Sequence, residues 1–184
     1  MQPSAALTRK LYIVPIAHPR QENLELLRRT LSEIFTIPAE FLSLKLNIDS
    51  VYNIRRNQYH ATEILAMLLR KMPADADRII GVTNLDLYIP ILTFVFGEAQ
   101  LKGRAAVVSC FRLRNEFYGL PANNDLLAER FAKEAVHELG HTFGLIHCEN
   151  PTCVMHASTY AEEIDLKNYQ FCPNCRAVVN SKIR

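Results

Sequence analysis

An α/β fold, built on a mixed twisted sheet of about five strands with flanking helices, is predicted by three features of this sequence. Strand-like and helix-like segments alternate over its first half, one long helical segment follows Pro121, and a cysteine-rich tail closes the chain. At 184 residues the chain suits one compact unit able to bury a real core without disulfide staples.

Leu11–Ile16 (LYIVPI) is β-branched and aromatic and reads as a first strand, although Pro15 argues for a strand near an edge or one that ends early. From Gln21 to Phe35 apolar residues recur at Leu24, Leu27, Leu31, Ile34 and Phe35, with Glu25, Arg28, Arg29 and Glu33 between them, which is the period of an amphipathic helix. Phe41–Ile48 alternates Leu42, Leu44, Leu46 and Ile48 with polar residues, and the period of two predicts a second strand. Ala61–Met72 reads as a second helix stopped by Pro73, and Arg78–Val82 as a third strand. Leu85–Phe96 is apolar but broken by Pro90, and Arg104–Ser109 reads as a further strand. After Pro121, Asn123 or Asn124 can cap a helix over 125–143. The expected division is 1–144, a sheet and helix unit including that helix, and 145–184, a small C-terminal subdomain.

Composition excludes several classes of function. The net charge of +2 is spread along the chain, and Arg28-Arg29 and Arg55-Arg56 are too short to form a nucleic-acid stripe, so no nucleic-acid partner is expected. No apolar run approaches the roughly 18 residues needed to span a bilayer, and Met1–Lys10 lacks the layout of a secretory signal, which predicts a cytoplasmic protein with no membrane partner; a monomer is expected. Four of the five cysteines, Cys148, Cys153, Cys172 and Cys175, fall in the tail, and in a reducing compartment that clustering favours metal over two disulfides.

The chemistry is concentrated in residues 137–147, His-Glu-x-x-His-x-x-Gly-x-x-His. On a helix His137 and His141 lie one turn and about 6 Å of rise apart on one face, so both imidazoles can reach a single ion. Glu138 is rotated by about 100° from them, badly placed as a ligand but well placed beside a metal-activated water. Gly144 allows a left-handed cap, and the turn lets His147 come back as a third ligand, leaving the fourth position open as catalytic sites require. Cys148, Cys153, Cys172 and Cys175 have the composition of a closed structural zinc site, and if the chain is extended at His147-Cys148 the two neighbours serve different ions.

The 137–147 motif followed by Met155 resembles the metzincin clan of zinc peptidases, and Cys148, Cys153 and Cys172-Pro-Asn-Cys175 narrow the resemblance to the archaemetzincin family over about residues 137–175. The resemblance implies a metzincin-like fold with a zinc-stapled C-terminal subdomain and a cytoplasmic zinc metallopeptidase. Its catalytic zinc would be held by His137, His141 and His147, with Glu138 as general base. Met155 would be the apolar floor beneath the ligands, and a second, structural zinc would sit on Cys148, Cys153, Cys172 and Cys175, two Zn2+ per chain. Peptides or small proteins would be the substrates, an extended peptide pairing with the sheet's edge strand, for which Arg104–Ser109 is the candidate. A binding module with a silent zinc, or a hydrolase of small non-protein amides, is the alternative reading. Some metzincins place a Tyr two residues after the Met as a transition-state donor, whereas this chain has Ala157 there and Tyr160 nearby. Tyr118, Arg112 and Arg114 are the substitute candidates, and Asp165 is a candidate to hydrogen-bond a ligand histidine.

Overall fold

The computed structural model describes residues 9–17 and 21–183; the first eight residues, and with them most of the N-terminal stretch read for a signal, lie outside the described part. In chain order the elements are β1 (Lys10–Ile16), α1 (Gln21–Phe35), β2 (Ala39–Phe41), β3 (Tyr52–Asn53), β4 (Gln58–His60), α2 (Ala61–Arg70), β5 (Ala76–Thr83), β6 (Leu87–Tyr88), β7 (Gly97–Ala99), β8 (Ala105–Ser109), α3 (Asn124–Thr142), α4 (Ala161–Asp165) and α5 (Pro173–Ile183). Five strands form the main sheet in the order β2-β1-β5-β8-β7, parallel except for β7, which runs antiparallel to β8. Strands β3, β4 and β6 make a small second sheet.

The period of two sorts the main sheet's side chains onto two faces. Leu11 and Ile13 of β1, Ile80 and Val82 of β5, and Ala106 and Val108 of β8 join the core built by α1 and α3. Tyr12, Val14 and Ile16, then Ile79, then Ala105 and Val107, join the core under α2. Both faces are therefore covered, which is why Ile79–Val82 of β5 and Ala105–Val108 of β8 carry no polar side chain. Leu145, Val154, Met155, Ile164, Phe171 and Val179 belong to the same core as α1 and α3, so the C-terminal segment completes that core and does not build one of its own. Among the described residues no helix is long and apolar enough to cross a membrane.

Three sequence expectations are corrected. Pro15 sits inside a central strand: Leu11 and Ile13 bond toward β2, so Pro15 faces the same side, past the point where β2 has ended and no partner needs its missing N–H. The strand expected over 41–48 is only Ala39–Phe41; residues 42–47 keep the alternation, half-burying Leu42, Leu44 and Leu46 against the α2 side without forming a ladder. Alternation reports a half-buried surface, not hydrogen-bonded pairing. Finally, the 104–109 strand is interior, flanked by β5 and β7, and the edge is β7, whose three residues (Gly, Glu, Ala) carry no strand signal.

Helix α3 is capped by the Asn123 side chain, which accepts from the Leu126 N–H at 3.0 Å. Thirteen of its residues are buried, including every one from Arg130 to Gly140, so it runs through the protein as a central post. It ends in a paired C-cap: the Gly144 N–H donates to the His141 carbonyl at 2.9 Å and the Leu145 N–H to the Gly140 carbonyl at 3.2 Å, with Gly144 at φ +95°. A side chain at Gly144 must adopt that left-handed backbone and also approach Lys102 Cγ to 3.1 Å. Gly144→Ala is expected to cost about 1–2 kcal/mol, read as a lowered midpoint in urea unfolding; an unchanged midpoint would show that the turn carries no such constraint.

Candidate metal centre and active-site cleft

His137 and His141 project from one face of α3, and the turn at Gly144 brings His147 back to them. Ring centroids lie 4.7 Å (His137–His141), 5.3 Å (His137–His147) and 5.1 Å (His141–His147) apart. One nitrogen from each lies within 4.8 Å of the others, close enough to hold one metal ion. His137 Nδ1 is 2.8 Å from the Val154 carbonyl and His141 Nδ1 is 2.7 Å from the Leu145 carbonyl. A carbonyl only accepts, so both Nδ1 atoms carry the proton and, in neutral rings, both Nε2 atoms are bare lone pairs. Burial, followed for His137 by the positive charge of Lys167, holds the imidazoles below their ordinary pKa and so neutral. The two Nε2 atoms are only 3.1 Å apart, with no proton to share. A cation fits this arrangement, and a neutral polar contact does not.

Glu138 lies beside the triad and buried, its carboxyl pushed well up by burial and then by the charges of Glu134 and Glu98. Strand β7 packs directly on it: a Cβ at Gly97 would come within 2.6 Å of Glu138 Cγ. Met155 is fully buried below α3, and a Cβ at Gly140 would collide with its Sδ, so the helix and the Met155 turn pack without space between them. Beside these groups is a cleft of about 310 Å³, with one wall from Leu92 to Gly97, a base of Glu134, His137, Glu138 and His147, and a second wall of Ala157, Ser158 and Thr159.

The cysteines gather on the other side of His147. The four Sγ atoms of Cys148, Cys153, Cys172 and Cys175 lie within 4.8 Å of one another, and Cys148 and Cys172 are 3.8 Å apart, far beyond a disulfide bond. The backbone N–H of Cys175 pulls the Cys172 thiol down to about 7, as expected at the start of a helix. Adjacent residues His147 and Cys148 thus serve two separate clusters. The Cys148 N–H donates to the Met155 carbonyl at 2.9 Å, tying the cluster to the Met155 turn.

The substitute candidates from the sequence lie elsewhere. Arg112 forms a two-point ion pair with Asp86 and stacks between Phe94 and Phe117, supporting the Phe94 wall from behind. Tyr118 donates to the Arg112 carbonyl, Arg114 contacts the Cys110 sulfur, and Asp165 is bound by Arg130, not by a histidine. What the sequence reading missed is Glu134, which lines the cleft one turn before Glu138 and pairs with Lys167 Nζ at 3.3 Å, both side chains buried. With Arg130 on Asp165 and Lys133 on the Ile164 carbonyl at 3.2 Å, this pair fastens α3 to the end of α4 and the residues just after it.

A buried helix with two histidines and a glutamate, a third histidine folded back by a glycine turn, and a cleft beside them define a metal-dependent hydrolase. Residues 23–181 match the profile of peptidase family M54. The chain belongs to this family, the archaemetzincins, and is a zinc metallopeptidase. It is 41% identical over 166 residues to the archaemetzincin of Methanocaldococcus jannaschii, covering 90% of each chain. Among solved structures it resembles the archaemetzincin of Methanopyrus kandleri, with a TM-score of 0.83, 35% identity and 98% of each chain covered. It also resembles a zinc-dependent peptidase of Methanocorpusculum labreanum, with a TM-score of 0.82, 33% identity, 92% of this chain and all of that one.

Removing one member of a buried ion pair leaves an uncompensated charge and costs about 3–5 kcal/mol. Lys167→Met is therefore expected to destabilise strongly, and Lys167→Met/Glu134→Gln to recover a large part of the loss, as read by denaturant unfolding of both variants. Additive losses in the double variant would mean that the pair is not coupled.

Proposed function

We propose that His137, His141 and His147 hold the catalytic zinc, that Cys148, Cys153, Cys172 and Cys175 hold a second, structural zinc, and that Glu138 is the general base for peptide-bond hydrolysis. The observation that carries the reading is the convergence of three imidazoles, those of His137 and His141 with their Nε2 lone pairs turned toward one another, beside a buried carboxylate in the same cleft.

A zinc ion held by His137, His141 and His147 would supply Lewis acidity for polarising the scissile carbonyl and activating water at neutral pH. The carbonyls of Val154 and Leu145 orient His137 and His141, so these rings need no rearrangement to bind it. Glu138 accepts the proton of the attacking water and delivers it to the leaving nitrogen, and burial keeps its carboxyl basic enough for that transfer. The substrate lies extended along β7. Phe96 accepts from the Ser109 N–H and the Gln100 N–H donates to Ala105, both toward β8, so alternation turns the main-chain groups of Gly97 and Ala99 outward to the open edge, where a peptide can add as a further strand. A zinc held by Cys148, Cys153, Cys172 and Cys175 would staple the segment from Leu145 to α5, which brings His147 into the triad and Met155 beneath α3.

Glu138→Ala is expected to lower peptide cleavage by about 10²–10⁴-fold while zinc content stays at the wild-type level. The assay is turnover of a diverse peptide library, with zinc measured on the same samples. Cleavage that persists in Glu138→Ala, or zinc-loaded wild type that cuts no peptide, would overturn the assignment.

A further inference from the structure

Glu98 is the middle residue of β7, the strand whose outer edge stays open. Its neighbour across the ladder is Val107, which belongs to the core under α2. The Glu98 side chain therefore lies on the α2 face of the sheet, while Gly97 turns toward Glu138 on the α3 face. There Thr62 Oγ1, in the first turn of α2, lies 2.9 Å and 3.0 Å from the two carboxylate oxygens. A hydroxyl has one proton to give, so most of the acceptor capacity of the carboxylate is left over.

No cation answers this charge: among the described residues Glu98 takes part in no ion pair. His60 is near, but its Nδ1 accepts from the Glu63 N–H at 3.4 Å, a role open only to a neutral ring. Burial pushes the Glu98 carboxyl up, against the downward pull of the Thr62 hydrogen bond and of His60. A half-buried carboxylate without a countercharge gains from a cation brought against it.

The register of β7 shows where such a cation would come from. The main-chain groups of Gly97 and Ala99 face the open edge, so a peptide that adds there bonds to those two residues and leaves Glu98 opposite a residue that shares no ladder bond with it. In an antiparallel ladder such a pair is the close one, with Cα atoms about 4.5 Å apart, and the facing side chain projects to the same face of the sheet. The peptide residue across from Glu98 thus lands over the α2 face beside an unneutralised carboxylate, one residue from the point where Gly97 packs on Glu138.

Resting on the peptidase reading above, we propose that Glu98 is a specificity-determining residue that selects peptides carrying Lys or Arg at the position across from it, close to the bond cleaved.

The test is a set of short peptides varied one position at a time among Lys, norleucine and Glu, with kcat/KM measured for zinc-loaded wild type, Glu98→Gln, Glu98→Lys and Glu138→Ala. Wild type is expected to favour Lys over norleucine by about 5–30-fold at one position within about two residues of the cleaved bond, and to disfavour Glu there. Glu98→Gln, which keeps an acceptor for Thr62, is expected to lose that preference, and Glu98→Lys to reverse it in favour of Glu. Because the readout is a ratio between peptides, a variant that is merely less stable lowers all of them together and leaves the ratio as it was. Wild type without the preference, or a preference that survives in both Glu98 variants, overturns the proposal. The two readings fail separately: cleavage that depends on Glu138 but is indifferent to Lys defeats only the Glu98 role, while activity retained in Glu138→Ala, or no cleavage by zinc-loaded wild type, defeats the peptidase assignment on which it rests.

Discussion

Two bare imidazole nitrogens 3.1 Å apart repel unless a cation lies between them, and the fold around His137 and His141 holds them in that relation. Both rings are fixed from behind by carbonyls that can only accept, and both are kept neutral by burial. The two carbonyls come from Leu145 and Val154, beyond the end of α3, so the orientation of the helical histidines depends on the path of the chain after Gly144. The surrounding acidity has the same sense. Glu134 and Glu138 line the cleft, Glu98 adds its charge, and Lys167 offsets part of it, leaving a site whose electrostatics favour a divalent ion.

The stretch from Leu145 to Lys167 therefore has to be rigid, although it has little regular structure. Three devices hold it. The cysteine cluster gathers Cys148 and Cys153 with the start of α5. Apolar residues of the stretch, Val154 and Met155 among them, enter the core shared with α1 and α3. Arg130, Lys133 and Glu134, all on α3, grip Asp165, the Ile164 carbonyl and Lys167. The polar grips act at consecutive turns of the post that carries the histidines, and so tie this stretch to the base of the cleft.

The site was more legible than the fold because its spacing is local. His137, His141, Gly144 and His147 fall within one helical turn and one cap, where helix geometry alone brings them together. The cysteines are farther apart, but thiol clustering in a short tail has few other uses. By contrast, Glu134 and Lys167 lie 33 residues apart, and nothing in either residue type announces the pairing. The edge strand was misplaced because β7 has a glycine, a glutamate and an alanine, and its role as an edge follows from the order of strands, which no local pattern carries. Arg112 and Tyr118 are charged and phenolic groups upstream of the helix, and nothing local tells a site role from a packing one. The structure uses Arg112 to stack behind Phe94 and Tyr118 to bond its carbonyl, roles set by tertiary neighbours.

The most direct test of this account is zinc content by elemental analysis, with competitive chelator titration, on wild type, His141→Ala and Cys172→Ala. Two zinc ions per chain in wild type are predicted, with one retained in His141→Ala. Cys172→Ala is predicted to lose the structural ion and to hold the triad ion more weakly, because the stretch that orients His137 and His141 is released. Wild type with fewer than two ions, or Cys172→Ala with undiminished affinity at the triad, would contradict it.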